Sequence, residues 1–326
     1  MACGYRRGVT ARARIYTTVG AVALAAAGAV AAAIVLSSGG NGRAAPAPGL
    51  RGRPPLELDL GIRADPEAVA LRRAAALYGD GKVAAAAPIF ARYRSLEAEV
   101  GSAMAAWPDG TLERLGRLAA GHPHSSVVAL NLGIALFWAG RKQAALAAWR
   151  QAKRADRDTL SAVRADDHLH PGYNRGLPTF VPSFSPPASL FRLAPARQLA
   201  VLARGKTVHA RLLYGVALQR LGRPLSAERA FARAAALAPG DVEAQVAAAV
   251  GRFDKDHPER AFSRLGPLTQ QFPHASTVRF HLGLLLLWLG EVQAGTRQLR
   301  LARAEGPDTP LGREAALFLQ KLVPHK

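Results

Sequence analysis

Cysteine is all but missing from this chain: Cys3 stands alone in 326 residues. That excludes an internal disulfide framework and a cysteine-built zinc site. Aromatic residues make up only 6%, too few to interleave with the basic residues as stacking platforms for single-stranded nucleic acid. Acids are scarce beside bases, 23 against 43, for a formal charge of +20. Only seven of those bases are lysine. Catalytic signatures are missing too. There is no His-Glu-x-x-His, no Gly-x-Ser-x-Gly and no set of paired carboxylates. Gly205-Lys206-Thr207 echoes the end of a phosphate-binding loop, but Ala200 stands where its first glycine belongs. No cofactor and no catalytic residue is expected.

One long uncharged run is present. Ile15 to Leu36 carries no charge and follows Arg6, Arg7, Arg12 and Arg14. About 20 apolar residues span a bilayer core as a helix, so 15–36 is expected to be a transmembrane signal-anchor. A cleaved signal would need an unusually long apolar region, with its best cleavage site as late as Ala45-Pro46-Ala47. The basic 1–14 tail is placed in the cytoplasm by its charge, and the remainder outside the cell membrane of a bacterial-type cell. Ala21, Ala25, Ala29 and Ala33 form a small-residue row through which the spans of two copies would pair. Residues 37–64, rich in Pro, Gly and Arg, read as a linker.

The rest of the chain is governed by a duplication. Pro123-His124 through Trp138-Ala139-Gly140 aligns without a gap on Pro273-His274 through Trp288-Leu289-Gly290, 150 residues later. The match extends from Leu115-Gly116 and Leu265-Gly266 to Asp158-Thr159 and Asp308-Thr309. A shorter period lies inside each copy. Gly133, Gly140, Ala145, Trp149 and Ala152 have the mutual spacing of Gly215, Gly222, Ala227, Phe231 and Ala234, and Pro239, Pro273 and Pro307 fall 34 apart.

This pattern resembles the tetratricopeptide repeat family. The resemblance implies an all-α, right-handed solenoid of about six helical hairpins in two duplicated sets, with a C-terminal capping helix. In such a hairpin the early Gly lets helix A touch helix B, the middle Gly ends helix A, and the aromatic residue fills the space between hairpins. The expected organisation is a first set at 65–159, a Pro- and aromatic-rich insert with a short helix at 160–205, a second set at 206–308 and a cap at 309–326. Within the insert, Tyr173, Phe180 and Phe184 are the aromatic anchors.

The family binds partners on the concave face lined by A helices. By position that face is Val127, Leu130, Ile134, Phe137 and Trp138 in one hairpin, and Thr277, Phe280, Leu284, Leu287 and Trp288 in its duplicate. His209, Leu212, Val216, Gln219 and Arg220 come from the hairpin between. Some members clamp a peptide carboxylate with Lys and Asn at two of these positions. Here those positions are apolar (Leu130, Leu212 and Phe280; Ile134, Val216 and Leu284), so the clamp is absent and the face should prefer apolar segments.

Two further features bear on function. Asp166-Asp167-His168-Leu169-His170 groups metal-ligating side chains without a second cluster at ligand spacing, so it reads as a solvated helix end. Arg72, Arg73, Arg92, Arg94, Arg150, Lys153, Arg154, Arg297, Arg300 and Arg303 are expected on helices as basic stripes. The reading is a membrane-tethered, non-enzymatic scaffold for a protein or peptide partner. Its alternative is an envelope module binding anionic polymers or lipid headgroups through the Arg stripes.

Overall fold

A computed structural model of the chain describes residues 49–322. The anchor expected at 15–36 and most of the linker lie outside these residues. Among the described residues there are sixteen α-helices and no strand, and no helix is long and apolar enough to cross a membrane. The described chain divides into two compact units, 49–169 and 170–322.

The first unit holds α1 (Pro66–Gly79), α2 (Val83–Ala91), α3 (Leu96–Ala105), α4 (Thr111–Gly121), α5 (Ser126–Trp138), α6 (Lys142–Ala155) and α7 (Leu160–Leu169). Helices pair as the hairpins α1/α2, α3/α4 and α5/α6, and each hairpin's first helix also packs on the first helix of the next. Side-chain oxygens of Asp65, Ser95 and Ser125 accept backbone N–H groups in the first turns of α1, α3 and α5. Each such cap stabilises a helix start by about 1 kcal/mol.

The second unit holds the short α8 (Ala188–Phe191), then α9 (Pro195–Arg204), α10 (Val208–Arg220), α11 (Pro224–Leu237), α12 (Val242–Val250), α13 (Glu259–Gln271), α14 (Ser276–Trp288), α15 (Val292–Glu305) and α16 (Pro310–Leu322). Its hairpins are α10/α11, α12/α13 and α14/α15, again with first helices side by side. Among the described residues there are therefore six hairpins, three in each unit.

The residues that carry the repeat do what their chemistry requires. Gly140, Gly222 and Gly290 end their A helices at φ of 77°, 68° and 79°, a left-handed turn that a side chain would strain. A Cβ on Gly133 would strike the Trp149 ring, and one on Gly215 the ring of Phe231. Trp149 and Phe231 are themselves buried, so the absent Cβ is what lets each aromatic ring close on the neighbouring helix.

Residues 160–169, placed at the start of the insert by sequence, form α7, the counterpart of α16. One follows Asp158-Thr159 and the other Asp308-Thr309, and each packs on the last hairpin of its unit. The basic stripes need a correction. Arg92 caps α2 and Arg94 sits in the loop before α3, so neither lies within a helix. The first hairpin stops at Ala91, and the next helix starts only at Leu96 behind its Ser95 cap. Lys153 is not a free cation either, because its Nζ lies 2.7 Å from Asp166 Oδ1.

Candidate functional site

In each unit an extended segment lies against the A helices. The first is 49–60. Tyr78 on α1 donates its hydroxyl to the Pro54 carbonyl at 2.7 Å. Asn131 on α5 grips Glu57 at two points: its Oδ1 accepts the Glu57 N–H at 3.0 Å and its Nδ2 donates to the Glu57 carbonyl at 2.7 Å. The same Nδ2 also reaches the Val127 carbonyl at 2.8 Å, which fixes the amide's orientation. Around these points the Trp107 indole donates to the Gly52 carbonyl, the Leu50 N–H donates to the Trp138 carbonyl, and Arg164 lies 2.8 Å from a Glu57 oxygen. Leu60 is buried, with Leu56 and Leu58 packed on the same cluster.

The second segment is the proline-rich stretch at 177–184. Gln219 on α10 accepts the Phe180 N–H at 2.9 Å and donates to the Pro178 carbonyl at 3.3 Å. His281 on α14 accepts the Val181 N–H through Nε2 at 2.9 Å. Glu243 on α12 accepts the Ser183 N–H at 2.7 Å. Phe180 is 1% exposed. Its ring stacks on His281 (4.8 Å, 18°) and meets Phe231 edge-on at 5.7 Å. Phe184 stands edge-on to His209 at 4.3 Å, and Val181 packs on the cluster of Phe280, Leu284 and Leu287.

The electrostatics follow from burial. Burial pushes the Tyr78 hydroxyl up to about 12, so it stays a donor. It also raises the Glu243 carboxyl, against the opposing pull of the Ser183 hydrogen bond. His281 is fully enclosed, and desolvation of its charged form lowers its pKa to about 4. Geometry gives the same neutral ring. Nε2 faces a donor, so the proton sits on Nδ1, 2.7 Å from the Thr277 carbonyl.

The face residues expected from sequence now have places. Val127, Leu130, Ile134, Phe137, Leu212, Val216, Thr277, Phe280, Leu284 and Leu287 are buried within their own units. Trp138 and Trp288 are half-buried, and their indole nitrogens are enclosed without an acceptor. His209 and Arg220 are exposed, while Gln219 holds the strap. The polar residues that grip the backbone, Tyr78, Asn131, Glu243 and His281, lie outside the face expected from sequence. Their signal was a polar side chain inside an apolar helix, as with Asn131 in a run of Val, Leu, Ile and Phe. The Asp166–His170 grouping, expected as a solvated helix end, instead has a buried Asp166 and partners within each unit. Asp166 pairs with Lys153, His168 stacks on Trp149 at 4.5 Å, and His170 stacks on Tyr173 and lies 3.0 Å from Asp256.

No protein-family model matches this chain, and no curated protein matches it. The similar solved structures are remote. One is a tetratricopeptide repeat protein from Parabacteroides merdae, 13% identical, covering 78% of this chain and 98% of its own, with a TM-score of 0.32. Another is the APC/C hetero-tetramer Cut9–Hcn1, 14% identical, covering 79% of this chain, with a TM-score of 0.27. This chain spans 56% of that second structure's length. Likeness at these scores carries no weight for function. The helical hairpins and the spacing of their glycines and aromatics stand on their own.

Proposed function

We propose that the protein is an interaction scaffold that holds extended polypeptide against its A helices, tethered to a membrane through residues 15–36. The observation carrying this is the recurrence of one grip in both units. Tyr78 lies three residues before Gly81 and Gln219 three before Gly222, and each takes a prolyl carbonyl. Asn131 and His281 each lie nine residues before the glycine that ends their helix, and each takes a strap N–H. Hydrogen bonds to main chain are how a surface holds an extended peptide of varied sequence. No step of bond-making is assigned to the chain. Tethering and an extracytoplasmic position rest on the uncharged run and the four arginines before it.

The test is photo-crosslinking in cells from His209 and Arg220, which flank the second strap and are exposed. A discrete crosslinked protein is expected. If these positions yield none while positions on α15 do, the scaffold reading fails.

A second reading is favoured by α15, where Arg297, Arg300 and Arg303 are all exposed on one helix. It is the binding of anionic polymer or lipid headgroup. Such binding should fall steeply between low and moderate salt, since charge contacts at the surface are screened over about 10 Å at 0.1 M.

A further inference from the structure

The two straps differ in sequence but share a register. Pro54 and Pro178 are both buried. Two residues on, Leu56 and Phe180 point into the cores. Three residues on, the N–H groups of Glu57 and Val181 are held by Asn131 and His281. Six residues on, Leu60 and Phe184 pack again on their own unit's cluster. The residues between differ, Glu57 against Val181 and Asp59 against Ser183, and their side chains take different partners: Glu57 lies against Arg164, Asp59 accepts the Leu160 N–H, and Val181 packs on the cluster of Phe280, Leu284 and Leu287. Written with Φ for Leu or Phe, the shared pattern is Pro-x-Φ-x-x-x-Φ.

The grips are unequal. Asn131 holds both the N–H and the carbonyl of Glu57. The ring of His281 has one acceptor to give, since its other nitrogen is committed to the Thr277 carbonyl. The second strap is also bounded by exposed residues, Arg175 before it and Ser185 and Pro187 after it. The hairpins of 170–322 also pack on one another directly, α10 on α12 and α12 on α14.

We propose that the second unit takes, in the place of its own strap, an extended segment of a partner protein carrying Pro-x-Φ-x-x-x-Φ. The resident strap is then a competitor in cis, and the partner must outbid an effective concentration on the order of millimolar. This rests on the scaffold reading and names the partner segment's chemistry.

The experiment uses the full chain in detergent micelles and a fluorescein-labelled peptide of residues 175–187, read by anisotropy. Phe180→Ala removes the buried ring that anchors the resident strap. That variant is expected to bind the peptide at least about 100-fold more tightly than wild type, because the cis competitor is weakened. A peptide with both Pro178→Ala and Phe180→Ala should bind at least about tenfold more weakly than the native peptide. Unlabelled peptide 51–63 should compete, since it carries the same pattern. Should Phe180→Ala lose its cooperative melt, Phe184→Ala decides instead, as its ring is only half-buried.

Equal affinity of wild type and variants would overturn the proposal. So would a folded variant that ignores the peptide. Sedimentation of wild type as a dimer that the peptide dissociates would make the occupant a second copy, which also overturns it. In each of these cases the crosslinks from His209 and Arg220 judge the scaffold reading separately.

Discussion

Asn131 and His281 occupy one position in two duplicated helices, and each accepts the N–H of an extended segment, Glu57 at 3.0 Å and Val181 at 2.9 Å. An amide and an imidazole have little in common except a buried acceptor at the right height. Substitution at this place should therefore be judged by acceptor and donor geometry, and volume alone should not rescue it.

Asn131→Asp preserves shape and removes the Nδ2 donor. A carboxylate oxygen would then face the carbonyls of Glu57 and Val127, now 2.7 and 2.8 Å away. Losing donors in a buried site costs about 2–4 kcal/mol. Urea unfolding of the full chain should show that loss. A change below about 0.5 kcal/mol, the scale of an ordinary surface substitution, would mean the grip is incidental.

His281 gives a pH dependence with a definite sign. Its folded-state pKa is lowered from 6.5 to about 4 by burial, so the unfolded chain binds the extra proton first. The stability it confers is complete above about pH 6.5 and is lost as pH falls toward 4. The full effect is about 3 kcal/mol at 1.36 kcal/mol per unit. Thermal melts between pH 7 and 4 should show the fall, and His281→Gln should flatten it. A profile unchanged by the substitution would assign the pH dependence elsewhere.

Gly215→Ala tests the close approach inside a hairpin. The added methyl meets the ring of buried Phe231, which cannot swing into solvent. Overpacking of this kind costs about 1–3 kcal/mol. Gly240→Ala is the control, since nothing lies near its Cβ position. Equal melting temperatures for the two variants would contradict the packing account.

The Arg164–Glu57 pair adds little by comparison. Its side chains are 34% and 25% exposed, so solvent screening leaves about 0.5–1 kcal/mol. Arg164→Met should lower stability by no more than that at 0.15 M salt, measured by chemical unfolding. A loss above 2 kcal/mol would make the pair a principal fastening of the first strap.

Much of the hairpin architecture was legible in the sequence because its constraints are local. Gly140, Gly222 and Gly290 turn where a left-handed residue is needed, and Trp149 and Phe231 sit opposite Gly133 and Gly215 at fixed spacing. The straps were not legible. An extended segment held by its main chain has no helical period, and the contact between Val181 and His281 spans 100 residues. Proline richness at 171–187 marked the segment as unusual but not its destination. The register shared by Pro54 and Pro178 emerges only when both are seen lying against their helices. Arg94 missed its helix for a different reason: it falls between the end of α2 at Ala91 and the Ser95 cap of α3, and charge pattern alone does not locate a helix end.

Amide hydrogen exchange at Glu57 and Val181 tests the central claim most directly. Both N–H groups should be strongly protected, Glu57 exchanging in step with the core amides of α5 and Val181 ahead of those of α14, because the second strap can open by itself. Exchange of either at the rate of a free extended peptide, with α5 and α14 still protected, would contradict the account.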